Sequence, residues 1–552
     1  MQINKGNKIL SIRHKMLLGG VLCLIAVCLS GQVSSQPDQP KKKSLVYLLH
    51  SDSLRFDKHQ NADAQIVEGN VVFRHDSVYM YCDSAYFYHK TNSLEAFGQV
   101  KMNQGDTLFL YGDRLFYDGN SQIASVRENV RMEHRNTILL TDSLNYDRVM
   151  NLGYYFEGGS LQDGENVLTS DWGEYSPSTK MAVFNYGVEL NNPKFTLTSD
   201  TLCYHTVSKV ANIVGPSDIV SEDNHIYSEL GFYNTSTEQA ELLKRSVLSN
   251  QGKTLTGDSL FYDRQRGFGE AFYNVVMNDT INKNLLMGDY CFYDELRENA
   301  LATQRALAVD YSQGDSLFVH ADTLQMLSYH FHTDSAYKKV HAYHKVRAFR
   351  SDIQAVCDSL VFSSEDSCLV MYRDPIVWNG SQQLLGEEIH VFMNDSTIDW
   401  AHITNQALVV ECKDSVHYNQ ISGKEIKAYF VGREVRQVDV LGSVRVIYYP
   451  EEKDSTMIGM NISETSVLNM FMKGRKMEKM IMSPKSNGTL YPMSQIPSEK
   501  MYLENFAWFG YIRPTDKEDI FHWRGKKAGQ ELKKSERKSA PLPNQDLMKS
   551  RK

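Results

Sequence analysis

Acidic residues that return at regular intervals are the side chains whose type and spacing could do chemistry in this sequence. Each is the second residue of a heptad related to GDSLFYD. The series consists of Asp52, Asp83, Asp113, Asp142, Asp171, Asp200, Glu229, Asp258, Asp289, Asp322, Asp358 and Glu387. Because a catalytic carboxylate is a local exception with a shifted pKa, and here every repeat carries an acid, we expect no enzyme activity. A carbohydrate-cleaving β-helix, which also places acids on one face of a stack, is the alternative that this pattern leaves open.

The same acids could instead bind calcium, as the acids of glycine-rich β-helix repeats do. Those repeats bring several Gly and Asp residues together, whereas each unit here has a single acid. Since the acid shares its strand parity with apolar residues, a corner position before the strand begins explains it better. At a corner, the carboxylate would bond neighbouring backbone N–H groups. We therefore predict a structural corner and no calcium site.

Four histidines gather in the segment YHFHTDSAYKKVHAYHKV, at His330, His332, His341 and His344. The first two are two residues apart, so both would lie on one face of a strand and could chelate zinc with a further ligand across the sheet. The alternative, which we favour, is polar decoration of an irregular repeat. Since no motif for phosphate binding, serine hydrolysis or zinc proteolysis is present either, we expect no cofactor and no metal.

Composition indicates a large, folded and exported β-protein. The 552 residues include 31 tyrosines and only 13 prolines, a balance that favours strands over disordered linkers. The net charge of −8 argues against nucleic acid as a partner, because a phosphate-binding surface needs clustered Lys and Arg. Residues 1–35 combine a basic start with an apolar run from Met16 to Ser30, which is typical of a secretory signal peptide, so we expect a periplasmic protein. A lipoprotein signal ending at Cys28 is the alternative.

The spacing of the acids predicts the architecture. Successive acids are 29 to 36 residues apart, most often 29, and a period this steady indicates stacked repeats. Each unit also contains a second run, such as EGNVVF, FGQVKM or FYNVVM, in which alternating apolar residues follow a Gly or Asn hinge. Two alternating runs per unit, separated by Gly, Asn and Asp, predict two β-strands and two turns. We predict an all-β fold, a repetitive and elongated stack of antiparallel strands with repeats of about 29 residues.

Strand alternation sorts the side chains of each repeat onto two faces. The positions two and four residues after each acid are mostly apolar or aromatic. The most regular of them are Leu115, Tyr117, Leu144, Tyr146, Leu202, Tyr204, Tyr233, Leu260, Tyr262 and Tyr293. They predict a continuous apolar wall on one face of the stack. Gly173 and Gly231 interrupt the leucine positions, and we expect neighbours such as Trp172 to fill the space rather than leave the wall locally widened.

The segment from Val67 to Asp118, which begins VEGNVVF and ends GDRLFYD, resembles the OstA/LptA family of periplasmic lipopolysaccharide-transport proteins. The shared pattern is a G-N-V strand, a polar turn and a D-x-L-x-Y strand, and it runs through most of the chain. The resemblance implies a β-jellyroll folded as a V, whose apolar interior carries lipid acyl chains across the periplasm. It also implies that the ten wall residues bind the acyl chains of lipopolysaccharide and lipid A. This chain is several times longer than the short members of the family.

The repeats divide the chain only weakly. We predict β-jellyroll repeats over residues 45–215 and 216–380, weaker β repeats over 381–485, an aromatic segment over 486–524 and a basic, solvated tail over 525–552. The aromatic segment is expected to cap the last repeat, with docking to an outer-membrane partner as the alternative. Open strand edges at the ends of the stack would pair with other Lpt-type envelope proteins, as the resemblance implies.

A structural or adhesive β-solenoid with a closed, dry core is the chief rival to a lipid carrier. A closed solenoid would fill its centre with interlocking leucines and tyrosines, whereas a conduit would leave an open seam. The state of the inner face therefore decides between the two interpretations.

Overall fold

The structure is a computed structural model. It describes residues 539–541 and residues 44–527 except 223, 313, 331–332, 395–396, 433, 453 and 475. The predicted signal peptide, His332 and most of the predicted basic tail lie outside the described residues. The prediction of an all-β fold with antiparallel strands is confirmed.

One compact unit comprises the described part of Met1–Gly105 together with Arg114–Ala124. Its strands are β1 (Tyr47–His50), β2 (Ser53–Arg55), β3 (Gln65–His75), β4 (Val78–Tyr88) and β5 (Ser93–Gln104). Both β1 and β2 pair with β3, and β3, β4 and β5 pair in chain order. Two further strands contain residues of both units. They are β6 (Leu108–Asp118) and β7 (Ile123–His134).

The second unit comprises Asp106–Asp113 and the described part of Ser125–Lys552. Its first strands are β8 (Thr137–Asp147), β9 (Leu152–Tyr155), β10 (Gly159–Asp163), β11 (Asn166–Ser170), β12 (Trp172–Ser176), β13 (Met181–Asn192), β14 (Phe195–His205), β15 (Val210–Val220), β16 (Asn224–Asn234), β17 (Gln239–Asn250), β18 (Lys253–Asp263), β19 (Phe268–Asp279) and β20 (Asn284–Asp294). From β13 to β20 these strands pair in chain order, each with the next.

Shorter and longer strands alternate in the rest of this unit. They are β21 (Asn299–Thr303), β22 (Leu307–Asp310), β23 (Leu317–His320), β24 (Thr323–Tyr329), β25 (Tyr337–Phe349), β26 (Ile353–Ser363), β27 (Cys368–Tyr372), β28 (Ile376–Asn379), β29 (Gln382–Leu385), β30 (Glu388–Asn394), β31 (Thr397–Cys412), β32 (Tyr418–Val431), β33 (Glu434–Tyr448), β34 (Gly459–Lys473), β35 (Lys476–Ser483) and β36 (Asn487–Pro492). Single-turn 3₁₀ helices follow at Met493–Gln495, Ser498–Lys500, Gly510–Ile512 and Asp519–Phe521. Within the described ranges, no helix has the length and apolar character that crossing a bilayer requires.

The long strands bend at hinges formed by residues with positive φ. In β19, Tyr273 and Asn274 have φ values of 57° and 50°. At this point two residues of β18 face three residues of β19, an irregularity that makes a β-bulge and bends both strands. The hinge divides each strand pair into two parts. In each strand that carries a repeated acid, we call the part before the acid limb A and the part after the acid limb B. Residues of a neighbouring strand belong to the same limb as the residues with which they pair.

The repeated acids lie at these hinges, as the corner interpretation predicts, but their bonding partner differs. The Asn274 side-chain amide donates to Asp258 Oδ2 at 2.7 Å, and Asn129 donates to Asp113 Oδ2 at 2.6 Å. These carboxylates therefore accept from a hinge side chain, and not from the neighbouring backbone N–H groups that we expected.

The hinge also changes which strand positions face inward. In β14, Leu197 and Ser199 are buried before the hinge, and Leu202 and Tyr204 are buried after it. The buried positions are thus three residues apart across the acid instead of two, and Asp200 itself is exposed. The acid that strict alternation placed in the apolar wall therefore faces solvent.

Neighbouring residues fill the space beside two glycines of the wall. A Cβ atom at Gly173 would lie 2.5 Å from the ring of Tyr155, and one at Gly231 would lie 2.6 Å from the carbonyl oxygen of Glu241. The prediction that Trp172 fills the first gap is wrong, because neighbouring strand residues point to opposite faces. The wall is therefore not widened at either glycine.

The chain after β36 returns along the outer face of limb A. We call this segment, Met493–Arg524, the strap. Its residues Phe509 and Ile512 are buried against Trp378 of β28, and farther along Ile520 packs against the outer side of β22. The strap therefore packs on its own chain along several strands, and not over the last repeat alone.

Buried glutamines on β26, β29 and β32 bind the strap. Gln383 donates to the Ala507 carbonyl at 2.8 Å and accepts the Phe509 N–H at 2.7 Å. Gln420 makes the equivalent pair of bonds with strap residues six positions earlier, both at 2.9 Å. Gln354 accepts a bond from a strap arginine at 2.7 Å. These bonds, to strap residues between Met501 and Arg513, fix the position of the strap along the sheet.

Replacing Asn274 by valine is expected to weaken the hairpin of β18 and β19. A β-branched residue at positive φ is strained by about 1–3 kcal/mol, and the bond to Asp258 is lost as well. Amide hydrogen exchange of the two strands should show reduced protection in Asn274→Val. The control Thr256→Val lies on the same hairpin in ordinary strand geometry and should leave protection unchanged; equal protection in both variants would contradict the role of the hinge.

Replacing Gln383 by leucine is expected to loosen the strap. The substitution leaves the Ala507 carbonyl and the Phe509 N–H without their partner in a buried place, at a cost of about 1–3 kcal/mol. Limited proteolysis should cut the strap of Gln383→Leu faster than that of Gln382→Leu, whose side chain is exposed on the same strand. If the two variants were cut at the same rate, apolar contacts alone would hold the strap.

Candidate functional site

A row of apolar, mostly aliphatic side chains runs across the inner face of limb A, and each stands opposite the next one on the neighbouring strand. From β8 to β20 the row consists of Leu139, Leu161, Leu168, Leu190, Leu197, Ile219, Ile226, Leu248, Leu255, Met277 and Leu286. From β22 to β33 it continues through Ala308, Val319, Ala348, Ala355, Val377, Leu384, Val409, Ile421 and Val446. Limb A thus presents an apolar surface inward along all these strands.

A second row crosses limb B and alternates large with small side chains. Tyrosines four residues after the acids stand opposite alanine or glycine of the next strand. From β12 to β21 the row consists of Tyr175, Ala182, Tyr204, Ala211, Tyr233, Ala240, Tyr262, Gly269, Tyr293 and Ala300. Because neighbouring strands are only about 4.8 Å apart, the small residues leave room for the rings beside them.

In the earlier repeats the tyrosines cross the interior and bond polar groups of the opposite limb. The Tyr204 hydroxyl donates to Asp163 Oδ2 at 2.8 Å and accepts from Asn166 at 3.0 Å. The Tyr175 hydroxyl lies 2.7 Å from His134 Nδ1. All five side chains are buried. These bonds join the two limbs and close the space between them.

Ion pairs reinforce the closure at the turns between strands. Lys209, in a turn of limb B, lies 2.5 Å from Asp163 of limb A. Lys194, in a turn of limb A, lies 2.5 Å from Glu238 in a turn of limb B. We call strands β8–β16, where these cross-limb contacts occur, the closed section.

Burial sets the protonation of the groups that close this section. Burial, followed by the nearby Lys180 charge, lowers the pKa of His134 to about 4, so the imidazole is neutral at pH 7. Its Nε2 lies 3.1 Å from Lys180 Nζ and accepts a bond from it. Burial and then the bond to Asp163 raise the pKa of Tyr204, which keeps its hydroxyl protonated and able to donate.

The interior becomes accessible after β16. In the limb A row, Leu197 has no exposed surface and Ile226 has 5%, whereas the next members, Leu248, Leu255 and Met277, are half-buried. Residue type hardly changes across this boundary. The difference is therefore in how far the limbs cover each other, and not in the composition of the wall.

On limb B, the burial of the tyrosines also decreases after β16. Tyr233 is buried, while Tyr262 and Tyr293 are half-buried. The Tyr262 hydroxyl donates to Glu295 at 3.4 Å, on its own limb, instead of reaching limb A. Burial, followed by Glu295, raises the pKa of Tyr262 to about 12. We call the inner face from β17 onward, between the two rows, the open groove.

On the later strands the exposure of the inner residues varies. Val319, Leu384 and Val409 of the limb A row are half-buried, as is Phe362 on limb B. Ala348, Val377 and Val446 of the same row are buried. At the bottom of the groove, next to the hinges, residues such as Leu324 remain buried. The groove is therefore apolar along its length and half-exposed over β17–β20 away from the hinge, an arrangement that can bind a hydrocarbon chain.

The ten predicted lipid-binding residues all belong to buried or half-buried inner positions, in different degrees. Six have no exposed surface, namely Leu115, Tyr117, Leu144, Tyr146, Leu202 and Tyr204. Tyr233 and Leu260 are buried as well, while Tyr262 and Tyr293 belong to the open groove. In the first unit the Tyr117 hydroxyl lies 2.6 Å from His75 Nδ1. Lipid binding by these residues stays a prediction.

Sequence reasoning missed the limb A row, although a signal for it was present. The residue three positions before each acid is apolar in repeat after repeat. Examples are Leu110, Leu139, Leu168, Leu197, Ile226, Leu255 and Leu286. Strict alternation assigned these residues to the opposite face from the leucines after the acid, because it made no allowance for the hinge between them.

The clustered histidines do not form a site in the described residues. His341 is buried and lies 2.7 Å from the Tyr343 hydroxyl, whereas His344 is exposed and pairs with Asp358 at 3.4 Å. His332 lies outside the described residues. Across the described ranges, no three His, Cys, Asp or Glu side chains converge as metal ligands.

Comparison with known proteins finds a family resemblance in the first part of the chain. None of the curated proteins matches it. A family model described as OstA-like protein matches residues 43–200 and, in a second segment, residues 196–258. The matched residues include the closed section and the first strands of the open groove. The resemblance that the repeats indicated is thus confirmed for residues 43–258, which match the model of the OstA-like family.

Proposed function

We propose that this protein takes part in lipopolysaccharide transport in the periplasm and holds the acyl chains of a lipopolysaccharide-type amphiphile in the open groove. The OstA-like family is a transport family and not an enzymatic one, which supports the proposal. The single observation that carries it is the change of the inner rows from buried to half-buried after β16. Apolar surface stays accessible there without a change of residue type.

The groove suits a hydrocarbon chain because its composition varies little along its length. Each strand adds one apolar residue on limb A and one tyrosine, alanine, glycine or similar apolar residue on limb B. Moving one methylene from water into such surroundings is favourable by about 0.8 kcal/mol. Since successive strands offer similar contacts, an acyl chain can shift along the groove with small changes in free energy, as transport requires.

A structural scaffold with a closed core is the second candidate function, and the closed section favours it. There the leucines and tyrosines interlock without exposed surface, as in Leu202 and Tyr204. A scaffold has no use for the half-buried apolar rows of β17–β20, which in water are unfavourable unless covered. The open groove therefore favours lipid binding, with the closed section as its support.

The proposed partners are other envelope proteins, joined by strand pairing at the exposed edge. Both β35 and β36 pair with β34, and no further strand of the described residues pairs with them. Met480 and Leu490, on these strands, are 43% and 57% exposed. Such an edge offers backbone N–H and C=O groups beside apolar side chains, which is what strand addition needs.

A photoreactive residue in place of Met277 is expected to cross-link lipopolysaccharide in cells, because this position faces the open groove. The matched control is Val276, the next residue of β19, which alternation places on the outer face. Cross-linked lipid would be detected by a shift in gel mobility. A folded Met277 variant that captured no lipid, or the same yield at both positions, would contradict the proposed function.

A photoreactive residue in place of Leu490 is expected to capture a second envelope protein or a second copy of this chain. The control is Ile281, an exposed apolar residue in the turn between β19 and β20, away from the edge. Mass spectrometry of the cross-linked products would identify the partner. Capture at Ile281 as strong as at Leu490 would show unspecific association and would argue against edge pairing.

A further inference from the structure

Charged and aromatic side chains of both limbs meet where the closed section ends. Lys194 lies 2.5 Å from Glu238 across the two limbs, and Arg264 approaches the same carboxylate at 3.7 Å. Next to Lys194 along the chain, the ring of Phe195 meets the ring of Tyr233 edge to face, with centroids 4.8 Å apart. We call these five residues the clasp. The Lys194–Glu238 and Phe195–Tyr233 contacts join the two limbs just before the groove opens, and Arg264 supports Glu238 from within limb B.

A small cavity lies between the clasp and the first tyrosine of the open groove. Its lining includes Phe195, Ile226, Tyr233, Glu238, Tyr262 and Arg264. One side of this cavity therefore belongs to the clasp and the other to the groove. A hydrocarbon chain lying in the groove would end against the rings of Phe195 and Tyr233.

A second layer of polar bonds closes the interior behind the clasp. Asn166 donates to the hydroxyls of Tyr204 and Thr235, both at 3.0 Å. Tyr204 and Lys209 both bond Asp163, at 2.8 and 2.5 Å. All of these contacts join one limb to the other through side chains only, so they can break without breaking a strand pair.

The backbone pairing continues unbroken across the boundary. Strands β14 to β18 pair with one another in chain order through both limbs. The limb A row also stays apolar on the closed side, from Ile226 back to Leu197 and Leu168. Separation of the limbs at their tips would therefore expose a surface of the same kind as the open groove, with the bend taken up at the hinges.

We propose that the clasp is a gate, which stops the acyl chain of a bound amphiphile at the end of the open groove and, on opening, admits it to the closed section. This inference rests on the proposed function. The Lys194 side chain is 61% exposed, so the lysine can move into water, while the buried Glu238 carboxylate keeps Arg264 at 3.7 Å as its partner. The gate thus opens at Lys194, and the wall behind it is built from groups that an acyl chain can contact.

The test uses the full mature chain and a lipid A analogue that carries a diazirine at the end of one acyl chain. After illumination, mass spectrometry maps the residues that have reacted. In the native protein, insertion is expected at Leu248, Leu255 and Met277. Insertion at Leu197 and Leu168, in the closed section, should stay at the background level.

The ion pair of the clasp is removed by combining Lys194→Met with Glu238→Gln, which keeps side-chain size and leaves the rings of Phe195 and Tyr233 held together only by their own contact. Insertion at Leu197 and Leu168 should then rise about two- to fivefold, the effect expected from losing an ion pair whose lysine is exposed to water. The control Glu241→Gln lies on β17 outside the clasp and should behave as the native protein. Hydrogen exchange of β14–β17 shows whether the strands stay paired; if the double variant loses protection, Glu238→Gln alone takes its place.

The possible results distinguish the proposed lipid-binding function from the proposed gate. Absence of insertion at every groove residue in the native protein overturns the proposed function. Insertion confined to the open groove in both the native and the clasp variants supports lipid binding but overturns the gate. Insertion at Leu168 in the native protein as strong as at Leu255 overturns the gate too, since the clasp would then stop nothing.

Discussion

The hinge within each long strand is the constraint on which the rest of the structure depends. At each hinge, residues with positive φ on one strand lie opposite the acid of the neighbouring strand. The hydrogen bond from the Asn274 side chain to Asp258 is an example of the contact that joins the two strands there. Without the bend, the strands would form a sheet with one apolar face and no interior. With it, each strand contributes to both limbs, and the same apolar pattern supplies two walls that face each other.

The character of the interior then depends on the tips of the limbs and not on the walls. Leu197 and Leu255 belong to one row and are the same residue type, yet one is sealed and the other half-buried. What differs is the presence of Tyr204, Asp163 and Asn166, which join the limbs in the closed section. The strap acts elsewhere, on the outer face of limb A, so it covers the apolar outer surface of the later strands and leaves the groove free.

Much of the fold could be predicted because local sequence patterns determine it. The regular acids, the Gly and Asn residues before the second strand and the alternating apolar positions are all set by near neighbours along the chain, and they led to strands, turns and a corner. The wall positions after the acid, such as Leu202 and Tyr204, followed from alternation alone. The row before the acid did not, because Leu197 changes face across a hinge whose geometry depends on pairing with a second strand.

The sequence by itself therefore determined an all-β repeat with apolar walls and a polar corner, since each of these features arises within one or two strands. Only the tertiary structure decided where the interior is sealed and where it is open. Asn166 and Thr235 are 69 residues apart, and Gln383 meets Phe509 at a separation of 126. No local pattern marks such pairs, because side chains this far apart come together only when the strands between them have stacked.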